Sequence, residues 1–194
     1  MLEKELIIIA GPNGSGKTTF AQQLLVSYKA EFLNADKIAH ELSPDNFEKV
    51  GLTAGKIFLN NLESLINQNR RFVIESTLSG NYLLPKVKNA KIKGYAVIII
   101  FIFLENKEIS VKRIEERILK GGHSIPRKDV IRRFKRSKIN FWKIYKNIAN
   151  SWYLFYNSED IFQEVAFGKE TNYEITNNNI FKVFISDIKN EVEW

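Results

Sequence analysis

A chain of 194 residues, 44% hydrophobic and 26% charged, is long enough for one domain with a full core and has the composition of a globular protein. Its zero cysteines exclude a disulfide framework and a thiolate metal centre, and no apolar run approaches the roughly 18 residues of a membrane span. The net charge of +7 is concentrated: residues 105–146 hold fourteen Lys/Arg against five Asp/Glu, so that stretch is +9 and the remainder −2, a distribution that fits either a polyphosphate-closing lid or a nucleic-acid surface.

The first five residues lack the basic-then-apolar layout of a signal peptide, so a cytoplasmic location is expected. Leu6–Ala10 (LIIIA) reads as a buried strand and Lys17–Tyr28 as a helix. Between them, Gly11-Pro12-Asn13-Gly14-Ser15-Gly16-Lys17-Thr18-Thr19 fits G-x-x-x-x-G-K-[ST], the phosphate-binding P-loop. A strand, a glycine loop and a helix N-terminus together converge backbone N–H groups on an anion. Gly11, Asn13, Gly14, Ser15, Gly16, Lys17, Thr18 and Thr19 are therefore the expected nucleotide contacts. Lys17 is expected to reach the β- and γ-phosphates and the Thr18 hydroxyl to bind Mg²⁺, which makes ATP and Mg²⁺ the expected cofactors.

Ala30–Asn34 is predicted as a short second strand running into Ala35-Asp36, and Thr53–Asn67 as an amphipathic helix. Arg71–Glu75 is a third strand, Asn81–Lys91 a helix with Pro85 near its start, and Tyr95–Leu104 a central strand apolar on both faces. Lys107–Leu119 and Arg127–Asn150 read as two basic helices joined by the Gly121-Gly122-His123 turn. Trp152–Tyr156 is a fifth strand, Phe162–Phe167 with Tyr173–Ile175 a small hairpin, and the tail from Asn177 weakly helical. The alternation predicts an α/β, three-layer P-loop nucleoside-triphosphate hydrolase fold. Its expected form is a single kinase domain over residues 1–194, with a mostly parallel five-stranded sheet, a helical lid at about 105–150 and a small C-terminal hairpin.

Function in such sheets gathers at the carboxyl ends of the strands. Asp36 follows the second strand and is the candidate general base for phosphoryl transfer to a hydroxyl; a cap for a helix starting at Lys37 is its plainer role. Glu75 is a candidate for binding a substrate hydroxyl or holding Mg²⁺ through water, and Thr77 for substrate contact, although threonine is also common in turns. Arg113 with Arg117, and Arg132 with Arg136, lie at i, i+4 and can present guanidinium forks to phosphates, unless they pair with Glu115, Glu116 or Asp129. His123 is read as part of a lid hinge on the substrate side rather than as a metal ligand, and Phe141, Trp142 and Tyr145 as packing residues.

With these residues assembled, the chain resembles the zeta-toxin family of P-loop kinases, in its shorter, stand-alone bacterial branch. The matching segments are GPNGSGKTT, FLNADKIAHELSP, FVIESTLSG and RIEERILKGGHSIPRKDVIRRFKRSKINF, in the family's order across roughly residues 5–167. The resemblance implies an ATP-dependent kinase. Lys17 and Thr18 match the phosphate lysine and metal-binding hydroxyl, Asp36 the base, and Glu75 and Thr77 the sugar-contacting pair. Arg117 matches one transition-state arginine. The second falls at Arg127, Arg132 or Arg133, with Arg133 preferred. The family phosphorylates the 3′-hydroxyl of the amino sugar of UDP-N-acetylglucosamine, so a hydroxyl-bearing small molecule, a sugar nucleotide among them, is the implied acceptor, and an antitoxin protein the implied partner. Two other readings stay open: a polynucleotide 5′-hydroxyl kinase, with nucleic acid the weaker partner class, and a nucleotide-gated regulatory ATPase binding a protein.

Overall fold

The computed structural model describes residues 4–43, 47–122, 124–159, 161–169 and 172–189. Its elements, in chain order, begin with β1 (Glu5–Ala10), α1 (Lys17–Ser27), β2 (Glu31–Asn34), α2 (Ala35–Leu42), α3 (Phe47–Asn67), β3 (Phe72–Ser76), α4 (Leu84–Ile92) and β4 (Ala96–Phe103). They continue with α5 (Lys107–Leu119), α6 (Arg127–Lys143), a 3₁₀ turn at Tyr145–Asn147, β5 (Ser151–Tyr156), β6 (Gln163–Lys169), β7 (Asn172–Ile175) and α7 (Asn178–Lys189). One sheet runs β2-β3-β1-β4-β5-β6-β7, parallel from β2 to β5 and antiparallel beyond.

The pleat of β1 divides the core. Leu6, Ile8 and Ala10 pack with Phe58 and Leu62 of α3, Val87 of α4, Phe141 of α6 and Phe184 of α7. Ile7 and Ile9 face the other way, with Ala21 of α1, Val73 and Ile102. Helices on both faces of a parallel sheet make the expected three layers. β3 and β4 flank β1, so the chain leaves β1 toward one edge and later crosses to the other side. The crevice at such a switch point, beyond the strand carboxyl ends, is where this class of sheet binds ligands.

Three expectations change. The C-terminal strands are not a separate hairpin but extend the same sheet. Gly168 pairs with Trp152 in register, and a Cβ there would sit 2.5 Å from the indole, so the bare glycine lets the ring lie across the strand junction. The tail is a well-anchored helix: Phe181, Phe184 and Ile188 of α7 are buried in the main core. The helix expected to run to Asn150 stops at Lys143, and the one expected from Thr53 begins at Phe47. Between α5 and α6, Val111, Ile114 and Val130 form a small core of their own. In the C-terminal half of α6 one face, Phe134, Ser137, Lys138 and Phe141, is buried, with Phe141 in the main core.

Candidate functional site

Side chains hold the P-loop, three of them from outside it. Lys17 Nζ donates to the Pro12 carbonyl at 2.9 Å, Ser110 Oγ to the Asn13 carbonyl at 2.5 Å, Arg113 to the Gly14 carbonyl at 3.2 Å, and Asn157 Nδ2 to the Ser15 carbonyl at 3.0 Å. With four successive carbonyls occupied by side chains, the same peptide units are oriented to present their N–H groups to an anion. Gly11 and Gly16 have φ of 143° and 89°. A Cβ at Gly11 would lie 2.0 Å from the Ile102 carbonyl, and one at Gly16 2.5 Å from Asn157 Nδ2, so only glycine fits either place.

Arg113 also donates to the carbonyls of Asn157 and Ser158 at 2.7 and 3.3 Å. It braces the loop, its guanidinium spread over three backbone carbonyls. Sequence reasoning missed Ser110 and Asn157. Asn157 carried a usable signal, a polar residue directly after the apolar strand WYLFY.

Glu75 and Thr18 meet. Glu75 Oε2 accepts from Thr18 Oγ1 at 2.9 Å and from Asn34 Nδ2 at 2.7 Å, while Oε1 lies 3.8 Å from Lys17 Nζ. Both charged side chains are more than nine-tenths buried. Burial pushes the Lys17 amine below the ordinary lysine value against the opposing pull of Glu75 and Asp36, and the Arg117 and Arg133 charges lower it further. Burial likewise raises the Glu75 carboxyl, opposed by Lys17 and by the Thr18 hydrogen bond. One lysine, two carboxylates and two arginines thus share one electrostatic centre.

Asp36 is not the helix cap. The Asn34 side chain accepts from the N–H groups of Asp36 and Lys37 at 2.7 and 3.2 Å, which starts α2 directly after β2 and places Asp36 in its first turn. Asp36 lines a cavity of about 840 Å³ with Asn13, Lys17, Glu75, Thr77 and Arg133. That volume is in the range of small-molecule sites. Thr77 bonds Ser79 within its loop at 2.8 Å, and α6 is tied to the same loop by Asn140 Nδ2 on the Leu78 carbonyl at 2.7 Å.

The lid arginines part company. Arg132 pairs with Asp129 at 2.9 Å, and the exposed Arg127 reaches Glu115 at 4.0 Å. Arg133 lines the cavity and acts on Lys17. Arg117 sits where α5 ends in a Schellman turn: Gly121 and Gly122 N–H groups bond the Ile118 and Arg117 carbonyls at 2.9 Å each. A Cβ at Gly122 would lie 2.6 Å from Arg117 Cγ, so Gly122 permits a close approach, while Gly121 supplies the left-handed φ of 83° that the turn needs. His123, expected on the substrate side, lies outside the described residues.

A family model described as AAA domain matches residues 6–137. An uncharacterized protein of Haemophilus influenzae is 33% identical over 129 residues, 64% of this chain and 89% of its own. A shikimate kinase of Baumannia cicadellinicola is 26% identical over 153 residues, 77% of this chain and 86% of its own. Among solved structures, that of the PezAT chromosomal toxin–antitoxin system of Streptococcus pneumoniae superposes with a TM-score of 0.62 at 15% identity, covering 100% of this chain and 89% of the other. The fold is that of P-loop kinases, a nucleotide-binding fold. Among the described residues, no helix is long and apolar enough to cross a membrane.

Proposed function

The chain belongs to the AAA domain family, and from that premise we propose that it is an ATP-dependent kinase, transferring the γ-phosphate to a hydroxyl of a small molecule. The observation that carries this reading is Asp36 and Lys17 lining one 840 Å³ cavity beside the P-loop. A switch ATPase needs only a water-sized space beside the nucleotide, whereas a cavity of this volume, which takes the phosphates at Asn13 and Lys17, leaves room for a small-molecule acceptor beside them.

In this mechanism the P-loop N–H groups and Lys17 bind the phosphates. Lys17 gives up its bond to the Pro12 carbonyl and turns to the anion, which restores the charge that burial disfavours. Asp36 accepts the proton of the attacking hydroxyl. Arg117 and Arg133, already placed around Lys17, neutralise charge spreading over the equatorial phosphoryl oxygens. Thr18 and Glu75 offer oxygen donors alone, which suits a hard cation, and they are the residues that would hold Mg²⁺. Bound there, Mg²⁺ supplies charge neutralisation at the phosphates. Glu75 and Thr77 orient the acceptor.

The motif likeness to zeta toxins makes a UDP-N-acetyl sugar the first acceptor to test and an antitoxin protein the partner to look for. The basic stretch is also what a polynucleotide 5′-hydroxyl kinase would carry. However, Arg113 is held by three backbone carbonyls within the protein, and Arg132 pairs with Asp129. The experiment is turnover of ATP with sugar nucleotides, small hydroxy acids and 5′-hydroxyl oligonucleotides, with Asp36→Asn as control. Loss of about 10²-fold or more in kcat with nucleotide affinity unchanged is expected; an Asp36→Asn variant as active as the parent overturns the mechanism.

A further inference from the structure

Leu78 sits in a backbone conformation that its side chain opposes. Its φ is 52°. Among the described residues the other non-glycine residue with positive φ is Asn69, of a type that tolerates it. A leucine persists there only where its surroundings hold it. Three contacts do so. The Leu78 side chain is 1% exposed and belongs to the main core. Its N–H donates to Ser76 Oγ at 3.1 Å, and its carbonyl accepts from Asn140 Nδ2 of α6 at 2.7 Å.

The bend brings two hydroxyls together. In an extended strand, residues i and i+2 stand roughly 6–7 Å apart. Across Leu78, the hydroxyl oxygens of Thr77 and Ser79 lie 2.8 Å apart, and both residues line the 840 Å³ cavity.

The tether hangs from a fixed point. Asparagine is a weak helix former, so α6 itself gains nothing from Asn140. The adjacent Phe141 is buried in the main core and stacks on Phe101 of β4 with ring centroids 4.4 Å apart. Just beyond α6, the Tyr145 hydroxyl adds a longer bond to the Gly80 carbonyl at 3.4 Å. Arg133, Arg136 and Asn140 are spaced i, i+3, i+7 and so share one face of α6, and both arginines line the cavity. One anchored helix thus carries cations of the cavity wall and the amide that grips the loop opposite them.

We propose that Asn140 is a positioning residue of the acceptor site. Its amide holds Leu78 in the left-handed conformation that pairs the Thr77 and Ser79 hydroxyls at the cavity, and so fixes the acceptor loop relative to the arginine face of α6. The inference rests on the kinase reading and adds Ser79 to the residues that meet the acceptor.

The test compares the full chain with Asn140→Ala, which favours the helix, and Asn140→Asp, which keeps the shape but does not donate near neutral pH. NMR of isotope-labelled protein reads φ at Leu78, and calorimetry reads ATP affinity. Turnover with Mg²⁺ and ATP is measured on UDP-N-acetylglucosamine, shikimate and gluconate, and on a filtered bacterial small-molecule extract. In both variants Leu78 is expected to leave the left-handed region. Half-saturation by the acceptor should then need roughly tenfold more of it, since binding must restore the strained turn. The kcat at saturation should fall much less, and ATP affinity should stay unchanged. A tie that serves stability alone would lower Tm and leave the acceptor KM where it was. Leu78 still left-handed in both variants, or an unchanged acceptor KM, overturns the proposal while leaving the kinase intact. A parent that phosphorylates none of the three acceptors and nothing in the extract removes the kinase reading itself, and the acceptor role of Asn140 with it.

Discussion

Thr18 Oγ1 donates a 2.9 Å hydrogen bond to Glu75 Oε2 across 57 residues of sequence. The contact follows from the sheet. β1 and β3 are parallel neighbours with Ile9 opposite Glu75, so the helix N-terminus after one strand faces the last residues of the other. Both residues then serve the same few ångströms of space.

If they act as one unit, their losses should not add. Thr18→Val and Glu75→Gln are each expected to lower kcat by about 10²-fold, and the double variant by little more than the worse single one. Multiplicative losses in steady-state turnover would show that the two residues act separately.

Lys17 gives a pH signature. Burial lowers its pKa from 10.5, so over the interval just below that value the folded protein binds fewer protons than the unfolded chain. On that account the Lys17 contribution to ligand-free stability rises with pH through the interval. A polyphosphate at Nζ restores the proton, so nucleotide affinity should fall over the same interval. Calorimetry stepped through the pH interval below 10.5, in buffers of different ionisation enthalpy, should show proton uptake on ATP binding, absent in Lys17→Met. No uptake by the parent would refute this account.

Arg113 should behave as scaffold. Its three carbonyl contacts hold Gly14 to the segment after β5. Arg113→Ala is expected to cost about 1.5–3 kcal/mol in urea unfolding and to weaken nucleotide binding while sparing kcat at saturation. A kcat loss in a normally stable variant would give Arg113 a role in the phosphate chemistry instead.

Lys138 on α6 is fully buried and bonds the Leu104 carbonyl at 2.9 Å and Asp187 of α7. Removing Asp187 strands that charge, so Asp187→Ala should cost about 3 kcal/mol near neutral pH. Burial already lowers the Lys138 pKa, and Asp187 opposes the shift. Without Asp187 the amine deprotonates sooner, so the deficit should shrink as pH rises toward 10.5. Lys138→Met, which removes the charge itself, should cost less. Thermal melts from pH 7 to 10 decide; a deficit that grows with pH contradicts the assignment.

The P-loop, and the placing of Asp36 and Glu75 beside it, were legible before any fold, because local rules carry them: a glycine pattern between a strand and a helix, and polar residues at strand ends. The braces Ser110, Arg113 and Asn157 were not. Each acts across 97 residues or more, on carbonyls that any sequence supplies. The N-cap at Asn34 was misplaced by two residues, since Asn and Asp are equally good caps and only the backbone turn distinguishes them.

The sequence by itself determined the strand–helix alternation, the phosphate grip and the basic stretch, all of which depend on neighbours along the chain. Tertiary structure alone decided that β6 and β7 join the sheet and that Arg113 braces while Arg133 lines the cavity. Those outcomes turn on which surfaces meet when the sheet closes. Contacts between distant segments are selected by shape, burial and charge together, and no local pattern encodes them.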